Sequence, residues 1–225
     1  MPLQRSRSRD PLDWLLKGLD SEARKVILAG SRSRKVHTGQ VLCRMGEPTD
    51  HLYLMRVGRL MVTRQTHEGH LVLMGILGPG DACGLGSLLS VHDYIGTAEA
   101  LDDGELLVWT DTAIRQLAVR YPRISHNVLQ MALFYADQLA QMRETNAAGS
   151  AEQRLAATLT RLASRIGAPT PDSIDLRIGN EQLASLANVS PFTASRVLKR
   201  WERNGIVIKH RGLVRLINPE KLPFV

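Results

Sequence analysis

The sequence lacks most of what an enzyme, an exported protein or a membrane protein would need. Its 225 residues hold no phosphate-binding loop, no clustered acid–base pair and no metal-ligand spacing. Asp102 and Asp103 are adjacent in a turn and point apart, so they read as a solvated turn rather than a catalytic pair. No apolar run is long enough to span a bilayer. The N-terminus lacks the apolar core of a signal peptide, and the expected location is cytoplasmic, away from membranes. The chain has 2 cysteines, Cys43 and Cys83, far apart and without metal spacing, so neither a bound metal nor a disulfide is indicated.

What remains is ordinary for a soluble globular protein: 44% hydrophobic and 23% charged residues. The length suffices for two modest domains, each with its own core. The net charge of +7 is unevenly placed. From Gly149 to Val225 there are 12 Lys or Arg against 6 Asp or Glu, whereas the rest of the chain is nearly balanced at 17 against 16. Phosphate binding needs cations placed locally, because affinity comes largely from counterion release. The C-terminal third is therefore the segment expected to meet nucleic acid. Residues 1–10, where Arg5, Arg7 and Arg9 alternate with serines, are expected to form a disordered basic tail.

The stretch Asn180–Trp201 carries two short helical patterns broken by a tight turn. Leu183, Ala184 and Ala187 make an apolar face on the first. Asn188 sits where the chain must reverse, and Asn tolerates the left-handed conformation. Ser190 is a good N-cap and Pro191 a good first helical residue. Ala194, Val197, Leu198 and Trp201 then recur at helical spacing and mark a buried face. Pro191, Phe192, Thr193, Ser195, Arg196, Lys199 and Arg200 are left on the outside. A short helix with an outward polar and basic face, propped on a partner helix, suits a DNA major groove. Two β-rich runs, 205–209 and 213–217, flank a turn at His210-Arg211-Gly212 and read as a hairpin, the wing of a winged helix-turn-helix.

Toward the N-terminus, Pro11 to about Gly30 has a helical period, with Asp20 as a cap before Val26 and Ile27. From about Arg34 to Thr110, short β-rich runs alternate with Gly-containing turns, which suggests a barrel or sandwich. From Ile124 to about Ala147 a long helix is expected. Ile124, Val128, Met131, Tyr135, Gln138 and Met142 step by four and three, a heptad-like seam assigned to a second subunit. Leu129, Leu133, Ala136, Leu139 and Ala140 lie on its flank. Ala147-Ala148-Gly149-Ser150 is the expected hinge, followed by a helix over 151–165 and a short strand over 174–178. The expected domains are a sensor barrel with N-terminal helices over 11–120, a dimerisation helix and hinge over 121–148, and a DNA-binding domain over 149–225.

This order of parts resembles the Crp/Fnr family of bacterial transcription regulators over nearly the whole chain. Local signatures add to it: Glu47-Pro48-Thr49-Asp50-His51-Leu52-Tyr53 with Val57-Gly58-Arg59-Leu60, Leu77-Gly78-Pro79-Gly80-Asp81, and Arg154-Leu155-Ala156. The resemblance implies an α+β chain: a cyclic-nucleotide-binding-like β-barrel, a long dimerisation helix and a C-terminal winged helix-turn-helix. It implies a homodimer on double-stranded DNA that works with RNA polymerase. The matching base-reading positions are Pro191, Phe192 and Arg196. Cyclic-AMP members carry Arg-Glu at the first two, whose hydrogen bonds Pro and Phe cannot reproduce, so a different operator sequence is expected.

The effector cassette departs from the family in the same way. Cyclic-AMP members have Gly-Glu followed by Arg-(Ser or Thr)-Ala, the Glu holding the ribose and the Arg the cyclic phosphate. Here the segments read Gly84-Leu85-Gly86-Ser87-Leu88-Leu89 and Gly96-Thr97-Ala98. Leu85 stands at the Glu position and Gly96 at the Arg position, and the purine contacts fall at Leu139 and Ala140. A buried phosphate without a cation is costly, so high-affinity cyclic nucleotide binding is expected to be lost. An iron–sulfur cluster of the family's kind needs N-terminal cysteines, and none precedes Cys43. Haem needs an axial ligand; His37, His51, His67, His70, His92, His126, Cys43 and Cys83 qualify by type only, and no cofactor is predicted. Cys83, inside the cassette, is either a redox-sensitive thiol or a small packing residue. Three alternatives stay open: a barrel that binds another effector, a regulator that needs no small molecule, and a signalling module without DNA binding.

Overall fold

The computed structural model describes residues 12, 14–89 and 91–223, and the expected tail at 1–10 lies outside them. The described chain divides into two compact units, one reaching Ala136 and the other beginning at Asp137.

In the first unit, helix α1 (Ser21–Ala29) starts where Asp20 accepts a 2.8 Å hydrogen bond from the Ala23 amide. Eight strands follow: β1 (Arg32–Val36), β2 (Val41–Cys43), β3 (His51–Val57), β4 (Leu60–Gln65), β5 (Leu71–Leu77), β6 (Ala82–Cys83), β7 (Thr97–Ala100) and β8 (Gly104–Thr110). The short helix α2 (Gly86–Leu89) falls between β6 and β7. The strands form two antiparallel four-stranded sheets, ordered β1-β8-β3-β6 and β2-β7-β4-β5. Alternation along each strand decides which face a residue meets. Tyr53, Met55 and Leu106 point between the sheets with Val36, Leu60 and Ala98. Leu52, Leu54, Leu107 and Trp109 point the other way, into a helical layer. Because both faces are covered, residues 52–55 are buried without interruption and read as a continuous apolar run.

That layer is built by α1, α3 (Asp111–Arg120) and the start of α4 (Arg123–Ala148). Two buried side-chain N–H donors in it are paired, as burial favours, while Asn127 Oδ1 is buried without a hydrogen-bond partner. Trp109 Nε1 donates to the Ile27 carbonyl at 2.8 Å, and Asn127 Nδ2 donates to the carbonyls of Leu15 and Lys17 at 2.8 and 3.0 Å.

Here the seam expected to face a second subunit is corrected. Ile124, Val128 and Met131 are buried in their own chain's core, and Tyr135 packs against it. The Tyr135 hydroxyl accepts from the Ala82 amide at 3.1 Å and donates to Asp81 at 3.3 Å. The opposite side of α4 is the open one: Leu129 is 49% and Leu133 62% exposed, and Ala136, Leu139 and Ala140 continue the stripe. With 3.6 residues per turn these two apolar stripes lie on opposite faces, and the barrel takes the first. Gln138 and Met142, beyond Ala136, are half-buried.

The second unit contains α5 (Ala151–Ile166), β9 (Ala168–Pro169), β10 (Ile174–Leu176), α6 (Asn180–Leu186), α7 (Pro191–Arg203), β11 (Val207–His210) and β12 (Leu213–Leu216). Ser150 is more than part of a linker, because it starts α5 with a reciprocal cap. Its Oγ accepts from the Gln153 amide at 3.3 Å, and Gln153 Oε1 accepts from the Ser150 amide at 2.9 Å. The four strands form one antiparallel sheet, ordered β11-β12-β10-β9.

Candidate nucleic-acid interface

The corner between α6 and α7 is made by Asn188, which at φ 49° is alone among the described non-glycine residues in having a positive φ. The Val189 amide closes the turn on the Ala184 carbonyl at 3.0 Å. Ser190 Oγ then caps α7, accepting from the Thr193 amide at 3.1 Å, with Pro191 in the first turn. Leu183, Ala184, Ala194, Val197, Leu198 and Trp201 form the buried side of the pair. Small residues at 184 and 194 let the two backbones approach.

Side chains from α5, α6 and the wing bind the helix and the corner to the rest of the unit. Trp201 Nε1 donates to Glu152 Oε1 at 2.8 Å, and the other oxygen of Glu152 pairs with Arg200. Arg154 donates to the carbonyls of Ala187 and Gly149 at 3.2 and 2.9 Å, tying α5 to the corner. From the wing, Lys209 Nζ reaches Ser195 Oγ at 3.3 Å and Asn180 Oδ1 at 3.5 Å, while Asn180 Nδ2 donates to the Pro191 carbonyl at 2.8 Å. Asn180 escaped the sequence reading. Its signal, an Asn at the first position of a helix, marks helix starts in general and not contacts between elements.

The outward residues fall into two groups. Pro191, Phe192, Arg196 and Lys199 are exposed, and neither Arg196 nor Lys199 has a hydrogen-bond or ion-pair partner among the described residues. Phe192 is 76% exposed. Thr193 and Ser195 are half-buried; the Thr193 hydroxyl lies 2.9 Å from the capping Ser190 hydroxyl. Arg200 is exposed on the expected face and is paired with Glu152. On the wing, β11 and β12 pair from Val207 opposite Leu216 to His210 opposite Leu213, with Gly212 turning at φ 73°.

The cassette in the barrel unit is closed by backbone and apolar contacts. Gly84 has φ 77°, and a Cβ there would collide with the His51 carbonyl oxygen. A Cβ at Gly86 would come within 2.9 Å of the Val91 carbonyl oxygen, and one at Gly96 within 2.9 Å of the Thr63 carbonyl oxygen. Leu85 packs on the helical layer, and Ser87 is buried with its Oγ donating to the Gly84 carbonyl at 2.9 Å. Thr97 Oγ1 accepts from the Met45 amide at 3.1 Å. Segments 84–89 and 96–98 contain no Lys or Arg. Leu139 and Ala140 lie on α4 in the other compact unit, both exposed. Asp102 and Asp103 do turn apart: Asp102 takes both ends of the Arg59 guanidinium at 2.5 and 2.8 Å, and Asp103 accepts from the Thr38 amide at 2.9 Å. No cluster of three or more metal-ligating side chains occurs among the described residues.

A β-barrel unit joined through a long helix to a winged helix-turn-helix defines a DNA-binding transcription regulator, not an enzyme. Comparison with known proteins agrees: residues 33–121 match the cyclic nucleotide-binding domain and residues 153–223 the Crp-like helix-turn-helix domain. The chain belongs to the Crp/Fnr family of transcription regulators. It is 28% identical over 186 residues to the transcriptional regulatory protein btr of Bordetella pertussis, covering 82% of this chain and 76% of that one. It is 27% identical over 202 residues to the cyclic AMP receptor protein of Thermus thermophilus, covering 90% and 91% of the two chains. In fold it is similar to FixK2 from Bradyrhizobium japonicum, with a TM-score of 0.76 at 16% identity over 85% of this chain and 95% of that one. No helix among the described residues is long and apolar enough to cross a membrane.

Proposed function

We propose that two copies of the chain pair along α4 and set their α7 helices into successive major grooves of a palindromic operator, with no requirement for cyclic AMP. The observation that carries this reading is the outward face of α7, where Phe192, Arg196 and Lys199 stand exposed beside a wing that Lys209 ties to the same helix. Arg196 pairs with a guanine edge in bidentate fashion, and Phe192 covers a thymine methyl group, one of the few base features an apolar ring can recognise. Pro191, Thr193 and Ser195 line the same approach, and Lys199 meets phosphate. Arg200 serves chiefly to hold α7 on α5 through Glu152.

The pairing surface is the open stripe of Leu129, Leu133, Ala136 and Ala140, whose spacing by four, three and four suits a coiled-coil contact. The functional division is a sensor barrel over 11–120, a dimerisation helix and hinge over 121–148, and a DNA-binding domain over 149–225. Independence from cyclic AMP is supported by Leu85, which is packed away at the position of the ribose-binding carboxylate, and by a cassette without a cation. The regulator acts in the cytoplasm, and its effect on transcription passes through RNA polymerase.

The test is fluorescence anisotropy with the cognate duplex. Arg196→Ala is expected to lose about 1–3 kcal/mol on that site and to relax preference at one base pair. Lys199→Ala should weaken binding to all sequences alike and flatten the salt slope by about one. An equal loss of Arg196→Ala on cognate and random DNA would remove Arg196 from base reading.

A further inference from the structure

Lys209 lies on β11 and is held by α7 at both of its ends. Its backbone amide donates to Glu202 Oε1 at 2.9 Å, and its Nζ donates to Ser195 Oγ at 3.3 Å. Ser195 and Glu202 stand about two turns apart on α7, so the lysine side chain runs along the helix. It is half-buried there, whereas Arg196 and Lys199 are exposed. Asn180, at the start of α6, meets the same ammonium with its Oδ1 at 3.5 Å. The other end of that amide fixes its orientation: Nδ2 donates to the Pro191 carbonyl at 2.8 Å, a group that only accepts.

These contacts give the hydrogen bonds one direction. An ammonium has donors and no acceptor, so Ser195 Oγ meets Lys209 as an acceptor. A serine inside a helix often turns its O–H back to the carbonyl four residues earlier. For Ser195 that carbonyl belongs to Pro191, and Asn180 already occupies it. The Ser195 O–H has no acceptor among the described residues. The hydroxyl is thus left to donate on the face that also carries Arg196. Accepting a second donor would crowd two positive groups on one oxygen and leave the O–H unused. Without the ammonium, the same hydroxyl would rotate to donate or accept as its partner required. Base edges in the major groove differ in this respect. Purine N7, guanine O6 and thymine O4 accept, whereas cytosine offers only the N4 donor.

We propose that Lys209 is a positioning residue that sets the hydrogen-bond polarity of Ser195, so that α7 selects a base with an acceptor on its major-groove edge and rejects cytosine at that place. Lys209 acts through Ser195 and not on the base itself. The inference rests on the DNA-binding reading and adds to it the class of base edge that Ser195 takes. It also separates the wing cation from Lys199: one orients a reader, the other meets phosphate.

The test takes the duplex preferred by the full-length wild-type protein, varies it one base pair at a time, and measures competition by anisotropy at fixed salt. Ser195→Ala locates the pair, as the position whose preference it erases. There the wild-type protein should bind the acceptor-bearing base about 3–10-fold more tightly than cytosine, the worth of one ordinary hydrogen bond. Lys209→Met keeps the aliphatic stem, removes the ammonium, and should bring that ratio close to one. Lys209→Arg keeps a group that only donates and should retain the ratio. In a Ser195→Ala background, Lys209→Met should leave the ratio unchanged. Each ratio is taken within one protein, so a general loss of affinity or stability cancels. A wild-type ratio in Lys209→Met would overturn the proposal. So would a uniform loss on all duplexes with a salt slope lower by about one, the behaviour of a phosphate ligand. If Ser195→Ala erased no preference while the wild-type protein kept its own, the proposal would fall and the DNA-binding reading would stand. A wild-type protein without any preferred duplex would overturn that reading and this inference with it.

Discussion

Leu133→Glu is expected to convert the protein from a dimer to a monomer of 24.9 kDa by sedimentation equilibrium and to abolish tight operator binding. Leu133 is 62% exposed on the open side of α4 and touches no core of its own chain. The substitution should therefore change the stability of the isolated chain by no more than about 0.5 kcal/mol. In a two-fold contact each residue meets its own copy or a near neighbour, so one substitution places two like charges in one apolar seam. DNA affinity should fall by about 10²–10⁴-fold, because a second half-site held by the same dimer acts as a high local concentration. Met131→Glu is the informative partner variant. Met131 is fully buried under the barrel, so its replacement should unfold the barrel unit instead of separating subunits. If Leu133→Glu stayed dimeric with unchanged affinity, the stripe on α4 would not be the contact surface.

Trp201→Ala is expected to lower the stability of the DNA-binding unit by about 3–5 kcal/mol, the range for deleting a fully buried large aromatic side chain. Trp201 is 1% exposed, and it closes the space between α5 and α7. Its loss also leaves Glu152 without the indole donor and frees the end of α7 that carries Arg200. Urea unfolding should show an earlier transition for this unit, while the barrel keeps its own. Trp201→Phe separates packing from the hydrogen bond and should cost less, about 1 kcal/mol for the lost hydrogen bond before any repacking. An unchanged midpoint for Trp201→Ala would mean that α7 is held by something other than this core.

The recognition helix was legible because its signals are local. Ser190 and Pro191 mark its start, and Ala194, Val197, Leu198 and Trp201 mark its buried side. Asn188 marks the corner by its chemistry alone. The strands of the barrel were legible for the same reason, apart from their ends and β6, which at two residues is too short for alternation to show. Helix α4 shows where local reasoning stops. It has two apolar stripes, and spacing cannot say which one its own barrel will cover. That Cys43 and Cys83 meet one interior cluster depends on the order of strands in opposite sheets, which no local pattern encodes. The pairing of Arg200 was not legible because its partner, Glu152, lies far away in sequence at the start of another helix. In the cassette the sequence shows only an omission: Leu85 replaces a carboxylate, and segments 84–89 and 96–98 hold no Lys or Arg.

The most direct test is selection of binding sites from random duplexes by the purified full-length protein, with and without cyclic AMP. The account predicts an inverted repeat whose half-sites are centred about one helical turn apart, roughly 34 Å, enriched equally in both conditions. The selected duplex should be bound at least ~10³-fold more tightly than a scrambled one. Failure to enrich any sequence, enrichment of a single half-site by a monomer, or enrichment only when cyclic AMP is present would contradict it.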